Sequence, residues 1–508
     1  MKTSKLMMSV LMVALSSAGL VGCGGSSGSS NGSNSGAEVQ VPTLNAQNYS
    51  ITRVADDPMP DETGLEAMAM SLNGDVLVAV PVRVPDQGVG YMLRRLSGGV
   101  WQTVDQSLTG RQVQLAADPQ GNFTIVDYDR LTNALRVRHL NTGSNQVVTQ
   151  INQVFDHLHH VRLVQVDNKM VILTHHWQQR DCVGECSQAQ VYHDVISVST
   201  LDSSTQTSLD TQEVWSQAVD TNSTISNVAL TADSQGQINV AWIARPTNQR
   251  QFQHVWVAAV HANRPATIEQ VLNQQVGVSQ LKLLPAGSNQ ILVAVQQVQT
   301  ISGDPRLYVQ PYTSQTVDPI GAPLITNESI EDISLAAQRL SNGAVRLVWT
   351  HNSVTTDGTK INTGELKQTL YRPNEQQFNP VTTIAGTTFQ RQGLQEQLVT
   401  LSVNRLGEQI SFFDENTQVA RFSFNQNVNR PSLTAQRSPD LLAVLRGAPV
   451  LATAHPEGCS AALMWRQSIQ TTNPDVSTAS KAAPIGTNAR GYYVSVLKMP
   501  EGVGSGCR

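Results

Sequence analysis

The sequence predicts an all-β body folded as a single β-propeller of eight four-stranded blades, and three observations predict it. A hairpin-like unit recurs eight times, with 384 residues between its first and last markers, Gly74 and Gly458, a mean spacing of about 55. That period falls among propeller blades and is too long for a leucine-rich or ankyrin unit. Apolar residues alternate with period two, Gly, Asn, Asp and Pro punctuate the chain every ten or so residues, and the body shows no long helical periodicity.

The units run in order through residues 66–80, 113–128, 161–176, 228–242, 281–295, 333–349, 398–413 and 450–465. Each reads as an apolar-alternating strand, a tight turn and a second such strand often ending near Trp. The turn markers are Gly74, Gly121, Asn168, Gly236, Asn289, Gly343, Gly407 and Gly458. Between units lie two further strand-like runs, for example 254–262 and 266–276, which gives strands A to D in each blade. The eighth unit supplies A, B and, in 491–499, C, but lacks D. Residues 48–55, ahead of the first A strand, fill that gap, so an N-terminal strand closes the ring and removes a pair of open sheet edges. A division into two smaller β domains is the alternative architecture.

Residues 1–22 form a leader: Lys2 and Lys5 precede an apolar run too short for a membrane helix, which closes on Leu20-Val21-Gly22-Cys23. This ending resembles the lipobox of bacterial lipoproteins, which implies cleavage before Cys23 and acylation of that residue, palmitate among the chains. Several acyl chains, at about 0.8 kcal/mol per buried CH₂, anchor durably. Residues 24–44 follow as a tether, and the coil estimate of about 5–6 Å times the square root of length gives its Gly/Ser-rich part, 24–36, a reach of roughly 20 Å. Gly24 in place of Asp resembles the pattern sorted onward to the outer membrane. The Gly28-Ser29-Ser30-Asn31-Gly32 run matches a nucleophile elbow but lacks the strand and helix that motif needs. The expected organisation is therefore a signal peptide (1–22), a lipidated tether (23–44) and a propeller (45–508) in the cell envelope, on the periplasmic or surface side.

A net charge of −5 with 14% charged residues offers no footprint for nucleic acid. With Cys23 lipidated, Cys182, Cys186, Cys459 and Cys507 remain for disulfides in an oxidising compartment. Pairing Cys182 with Cys186 and Cys459 with Cys507 is the parsimonious choice among three connectivities.

The turns Asp118-Pro119-Gln120-Gly121 and Asp233-Ser234-Gln235-Gly236 resemble the Asp-box turn of sialidase-like propellers. The family's Ser before Asp is here Ala117 and Ala232, and its Thr-Trp after Gly is Phe123-Thr124 and Ile238-Asn239, so no sialidase site residue carries over. An eight-bladed lipoprotein propeller is similar in architecture to the scaffold lipoprotein of outer-membrane β-barrel assembly.

Function is expected on one face. The A-to-B turns are short, whereas B-to-C connections at 81–90, 129–134, 177–191, 244–253, 296–305, 350–364 and 466–490 are longer, and B-to-C and D-to-A loops share a face. On it, His157, His159 and His160 are expected in the D-to-A loop of blade 3 and His175 and His176 at the start of its B-to-C loop. Neutral imidazoles brought together bind Zn²⁺, Cu²⁺ or Ni²⁺, so His157, His159, His175 and His176 are the candidate metal ligands, with Asp181, Cys182, Cys186 and His193 nearby; otherwise no cofactor is expected. Asp127, Asp129, Glu331, Asp332, Asp414 and Glu415 supply carboxylates for a general acid–base pair. Aromatics, at 5%, do not suggest a sugar cleft. Two functions follow: a non-catalytic binding or scaffold module for a protein or envelope component, and a glycan-acting hydrolase or lyase at the mouth of the central channel.

Overall fold

The computed structural model describes residues 49–498 except 57–64, 85–87, 167–168, 182–189, 202–207, 220–223, 234, 246–251, 276, 299–305, 327–334, 341–342, 354–361, 385–388, 392–398, 405–406, 415–418, 426–447, 456–457, 459 and 468–490. The chain divides into Met1–Val41 and Pro42–Arg508, and every described residue belongs to the second unit. The leader with Cys23, the tether, and Cys182, Cys186, Cys459 and Cys507 all lie outside the described residues.

The described residues contain strands and no helix, and they form eight antiparallel sheets. Blade 1 comprises Ala67–Met70, Val76–Val84, Gly88–Ser97 and Val100–Ser107; blade 2, Gly110–Ala117, Phe123–Asp129, Ala134–Asn141 and Gln146–Val154. Blade 3 comprises His157–Val166, Lys169–Asp181, Gln190–Leu201 and Asp210–Val219, and blade 4, Ile225–Ala232, Ile238–Ala244, Gln253–Val260 and Thr267–Gln275. Blade 5 follows with Gly277–Ala286, Gln290–Val298, Arg306–Thr313 and Leu324–Ile325, and blade 6 starts at Leu335–Arg339, Val345–Ser353 and Asn362–Arg372. Blade 7 shows Val399–Asn404, Gly407–Asp414 and Val419–Asn425, and blade 8 Ala448–Ala454, Ser460–Gln467 and Gly491–Lys498. The first strand of each blade packs against the first strand of the next, and that of blade 8 against that of blade 1, so the inner strands form a closed ring. The fold is a single β-propeller.

Closure occurs as expected. Tyr49–Asp56 pairs antiparallel with Gly491–Lys498, from Tyr49 opposite Leu497 to Asp56 opposite Gly491, and becomes the outer strand of blade 8. The seam is apolar, with Val54 packed among Met70, Val78, Met464, Tyr492 and Val494. Among the described side chains, apolar clusters join neighbouring blades face to face. Between blades 3 and 4, for example, Leu173, Ile196, Val228, Val240 and the fully buried Trp242 form one cluster, and stripping so much apolar surface from water is what holds flat sheets in a ring.

The repeat markers mark a real turn. In blades 1, 2, 4 and 6 the first two strands are joined by five residues in which the fourth is Gly74, Gly121, Gly236 or Gly343, with φ between +80° and +86°. A glycine adopts this at no steric cost. Asp118 and Asp233 accept at Oδ1 from the backbone N–H four residues on, and Ser71 does so through Oγ. The loop expectations need correction, because strands run further than apolar alternation does. Residues 81–84 extend a strand, and so do 177–181, while 190 and 191, also expected in a loop, open the next strand. The backbone ladder is indifferent to whether side chains are polar, so a strand continues through His, Trp and Gln.

Candidate functional site

The histidines expected in loops lie within paired strands of blade 3. His157 stands opposite Trp177, Leu158 opposite His176 and His160 opposite His175; a bulge inserts His159 between Leu158 and His160. The bulge is held from blade 2, where Gln112 Nε2 donates to the His159 carbonyl and Gln112 Oε1 accepts from Val161 N at 3.0 Å. It turns His159 and His160 to one side of the sheet, where both rings stack on His175, at centroid distances of 4.9 and 5.2 Å.

A hydrogen-bonded chain runs inward from there. His160 Nδ1 faces His175 Nδ1 at 2.9 Å, and His175 Nε2 lies 2.9 Å from Asp194 Oδ1 on the third strand. His175 and Asp194 are both completely buried. Asp194 also accepts from Trp177 Nε1 at 2.9 Å and from Thr224 N and Oγ1 at 2.6 and 3.0 Å. A carboxylate with four donors can only accept, so His175 carries a proton on Nε2 and a single proton lies between the two Nδ1 atoms.

Electrostatics fix the protonation. Burial pushes the Asp194 carboxyl up, but the hydrogen bonds from His175 and Thr224 outweigh it and hold the group below the usual carboxylate range. Burial first, then His175, brings His159 down to about 4; burial, then His175 and Arg162, brings His160 to about 3. At neutral pH both rings are uncharged. The arrangement suits proton transfer along Asp194, His175 and His160, with Thr224 and Trp177 fixing the carboxylate.

The four candidate metal ligands do not converge. His175 and His176 are consecutive strand residues and point to opposite faces: His176 rests on Phe155 toward blade 2, at 4.5 Å, whereas His175 faces blade 4. His157 and His159 stack parallel at 6.0 Å. Among the described residues no group of three or more His, Cys, Asp or Glu is placed to hold a metal ion. His193 and Asp181 stand opposite Gln178 and Gln190 along the same sheet.

The candidate acids Asp127 and Asp129 are also not free for catalysis. Both are buried at the seam of blades 1 and 2, where Asp127 takes Arg136 and the Tyr91 hydroxyl (2.8 Å), and Asp129 takes Arg136 Nη1 (2.8 Å) and Thr109 Oγ1 (2.9 Å). Burial raises the Asp129 carboxyl, but Thr109, Leu131 N and Arg136 bring it below its ordinary range. A general acid needs the reverse. The side chains of Glu331, Asp332, Asp414 and Glu415 lie outside the described residues.

Sequence reasoning missed Asp194, Thr224 and Trp177 as partners of the histidines. Period two applied to residues 173–177 puts Leu173, His175 and Trp177 on one face and was a usable signal; Asp194 comes from another strand whose register no local pattern gives.

No family model matches the chain, and no curated protein matches it in sequence. Among solved structures it is similar to the Dos1 propeller, at 8% identity and a TM-score of 0.45, over 82% of this chain and 91% of that one. It is similar to the β-propeller domain of the Trilobed protease from Pyrococcus furiosus, at 5% identity and a TM-score of 0.34, over 60% of this chain and 77% of that one. A third is a puromycin hydrolase, at 12% identity and a TM-score of 0.42; the match covers 80% of this chain and spans 59% of the hydrolase. An arabinanase and a polysaccharide lyase are similar too. The likeness therefore reaches hydrolases, lyases and other propellers, and at these identities it shows the fold alone.

Proposed function

We propose that this protein is an outer-membrane lipoprotein, anchored through Cys23, whose propeller binds a protein or envelope component on the face carrying the B-to-C and D-to-A connections. The observation that carries the reading is the exposure of large apolar side chains there on blades 2 and 3: Leu131 is 75% exposed, Val154 66% and Tyr192 40%. Tyr192 adjoins Trp177, which in turn meets His157 edge-on, at 5.5 and 5.4 Å. Apolar side chains left in water beside aromatic rings mark an interaction face. Crosslinking the lipidated protein in native envelopes should capture one partner that is lost from a Leu131→Asp, Val154→Asp variant of unchanged melting temperature. Recovery of the same proteins from both would refute the docking face.

The chain of Asp194, His175 and His160 favours a second reading, a glycan-acting hydrolase or lyase with its site at the mouth of the central channel. In that reading His160, on an inner strand, moves the proton and Asp194 orients the relay. Asp194→Asn would then abolish release of new sugar ends from envelope glycan; equal release by both proteins, or none by either, rejects it.

A further inference from the structure

A cavity of about 480 Å³ opens between blades 3 and 4 on the face of the A-to-B and C-to-D turns, opposite the docking face. Its volume lies inside the usual range of small-molecule sites, roughly 300–1,000 Å³. The floor is apolar: Val198 on the third strand of blade 3 meets Ile238 and Val260 of blade 4, within the apolar cluster that joins the two blades. Register supplies one wall. Val198 stands opposite Gln212 and Thr200 opposite Asp210, so period two puts these four side chains on the face that blade 3 turns to blade 4. The facing wall is the turn after Val260, with His261, Asn263 and Arg264.

That turn is held in place without a ligand. Gln212 Nε2 donates to the Arg264 carbonyl at 3.1 Å, which ties the turn of blade 4 to the outer strand of blade 3. Asn263 takes a φ of 73°, which Asn tolerates better than most residues, and Pro265 restricts the backbone two residues on. The buried His261 has Nε2 at 3.1 Å from Thr267 Oγ1, and Arg264 Nη2 lies 3.2 and 3.3 Å from its two ring nitrogens.

Two opposite charges therefore face one cavity without neutralising each other. Asp210 and Arg264 are both exposed and both line it, yet among the described residues the Asp210 side chain has no hydrogen bond or ion pair, and the Arg264 guanidinium meets only His261. Burial, then Arg264, lowers the His261 pKa, so that ring is uncharged at pH 7. A simple anion would answer Arg264 and be opposed by Asp210, a simple cation would meet the reverse, and a neutral sugar would pair with neither charge. A molecule with a carboxylate, an ammonium and an apolar body matches the charges and the floor together.

We propose that the cleft between blades 3 and 4 binds a zwitterion with an apolar side chain, an amino acid or a short peptide. Arg264 takes its carboxylate, Asp210 its ammonium, and Val198, Ile238 and Val260 lie beneath its side chain. The site is separate from the docking face and from the histidine relay, so its failure would leave both readings standing.

Calorimetric titration of the full-length protein in detergent at pH 7 tests this, with L-leucine in one arm and leucyl-leucine in the other to separate amino acid from peptide. One saturable site for at least one of the two is expected. Acetylating the amine or amidating the carboxylate of that ligand should weaken it by at least about tenfold, as should Asp210→Asn and Arg264→Met. Once Asp210 is changed to Asn, acetylation should cost little more, because both changes remove the same pair. Failure of both ligands to saturate the protein, or equal affinity for the acetylated and amidated forms, would overturn the proposal; so would parental affinity in either variant at an unchanged melting temperature. The ligand series uses the unaltered protein, so it decides the matter even where a variant melts lower.

Discussion

At the residue scale one tightly constrained position is Gly110, the first residue of blade 2. A Cβ there would lie 2.3 Å from Asp127 Oδ2, 2.5 Å from Tyr91 and 2.9 Å from Arg136 Nη2, inside the charge network that joins blades 1 and 2. Nothing in that network can withdraw without breaking a buried ion pair, and overpacking costs typically 1–3 kcal/mol even in an apolar core. Gly110→Ala should therefore lower the denaturation midpoint by the equivalent of about 3 kcal/mol or more, and an unchanged midpoint would show that the network is looser than its geometry. The histidines of blade 3 set a second expectation. His159, His160 and His176 have pKa values of about 4, 3 and 4 in the fold, against about 6.5 in an unfolded chain. The unfolded state thus binds more protons below pH 6.5; the stabilisation is complete above that pH and drains away as pH falls toward 4 and then 3. The loss by pH 4.5 is on the order of 2 kcal/mol for the well-buried His160 and less for His159, whose ring is partly solvated. Urea midpoints at pH 7 and pH 4.5 measure it, and His160→Gln should shrink the difference between them.

At the element scale, apolar alternation made the hairpin units visible because the second strand of a unit, as in Phe123–Asp129 and Ile238–Ala244, is almost wholly buried between neighbouring blades. The closing strand was legible because the eighth unit lacked its D strand and residues 48–55, ahead of the first A strand, could fill that gap. Tyr49–Asp56 fills that place. What did not show was where the strands stop. Residues such as His175, His176 and Trp177 pair through their backbones as well as Val or Ile do, and a reading that ended strands where hydrophobicity ended mistook them for loop. The inner-strand bulges were equally hidden, although they recur near Gln112, His159, Ser226, Gln280 and Val450, because no side-chain pattern distinguishes a bulged residue from a paired one. Ring closure carries its own test. Deleting residues 45–57 removes a strand that covers the apolar seam of blade 8 and leaves the edge of Gly491–Lys498 open, whereas deleting 24–36 takes only Gly, Ser and Asn. The first deletion should lower the melting temperature by many degrees and promote association through the open edge, while the second should leave both unchanged. Equal melting temperatures would count against a closing role.

At the scale of the whole molecule, anchoring and folding are expected to be separable. The inner strands form a ring that closes on itself, and the seam that completes it uses residues from Tyr49 onward. The expectation of a lipid at Cys23 comes from the sequence of the leader, in a region that gives the ring none of its described strands. A stable anchor needs more than one acyl chain, and the lipoprotein pattern places them all on this residue. Changing Cys23 to Ser should accordingly leave the melting curve of the body as it was and move the protein from the membrane fraction to the soluble one. The measurement is fractionation followed by a high-salt wash, which strips proteins held by charge and spares those held by acyl chains. A Cys23→Ser protein that stays with the membrane through that wash would mean that the propeller itself carries a membrane-binding surface, and the lipoprotein reading would fall.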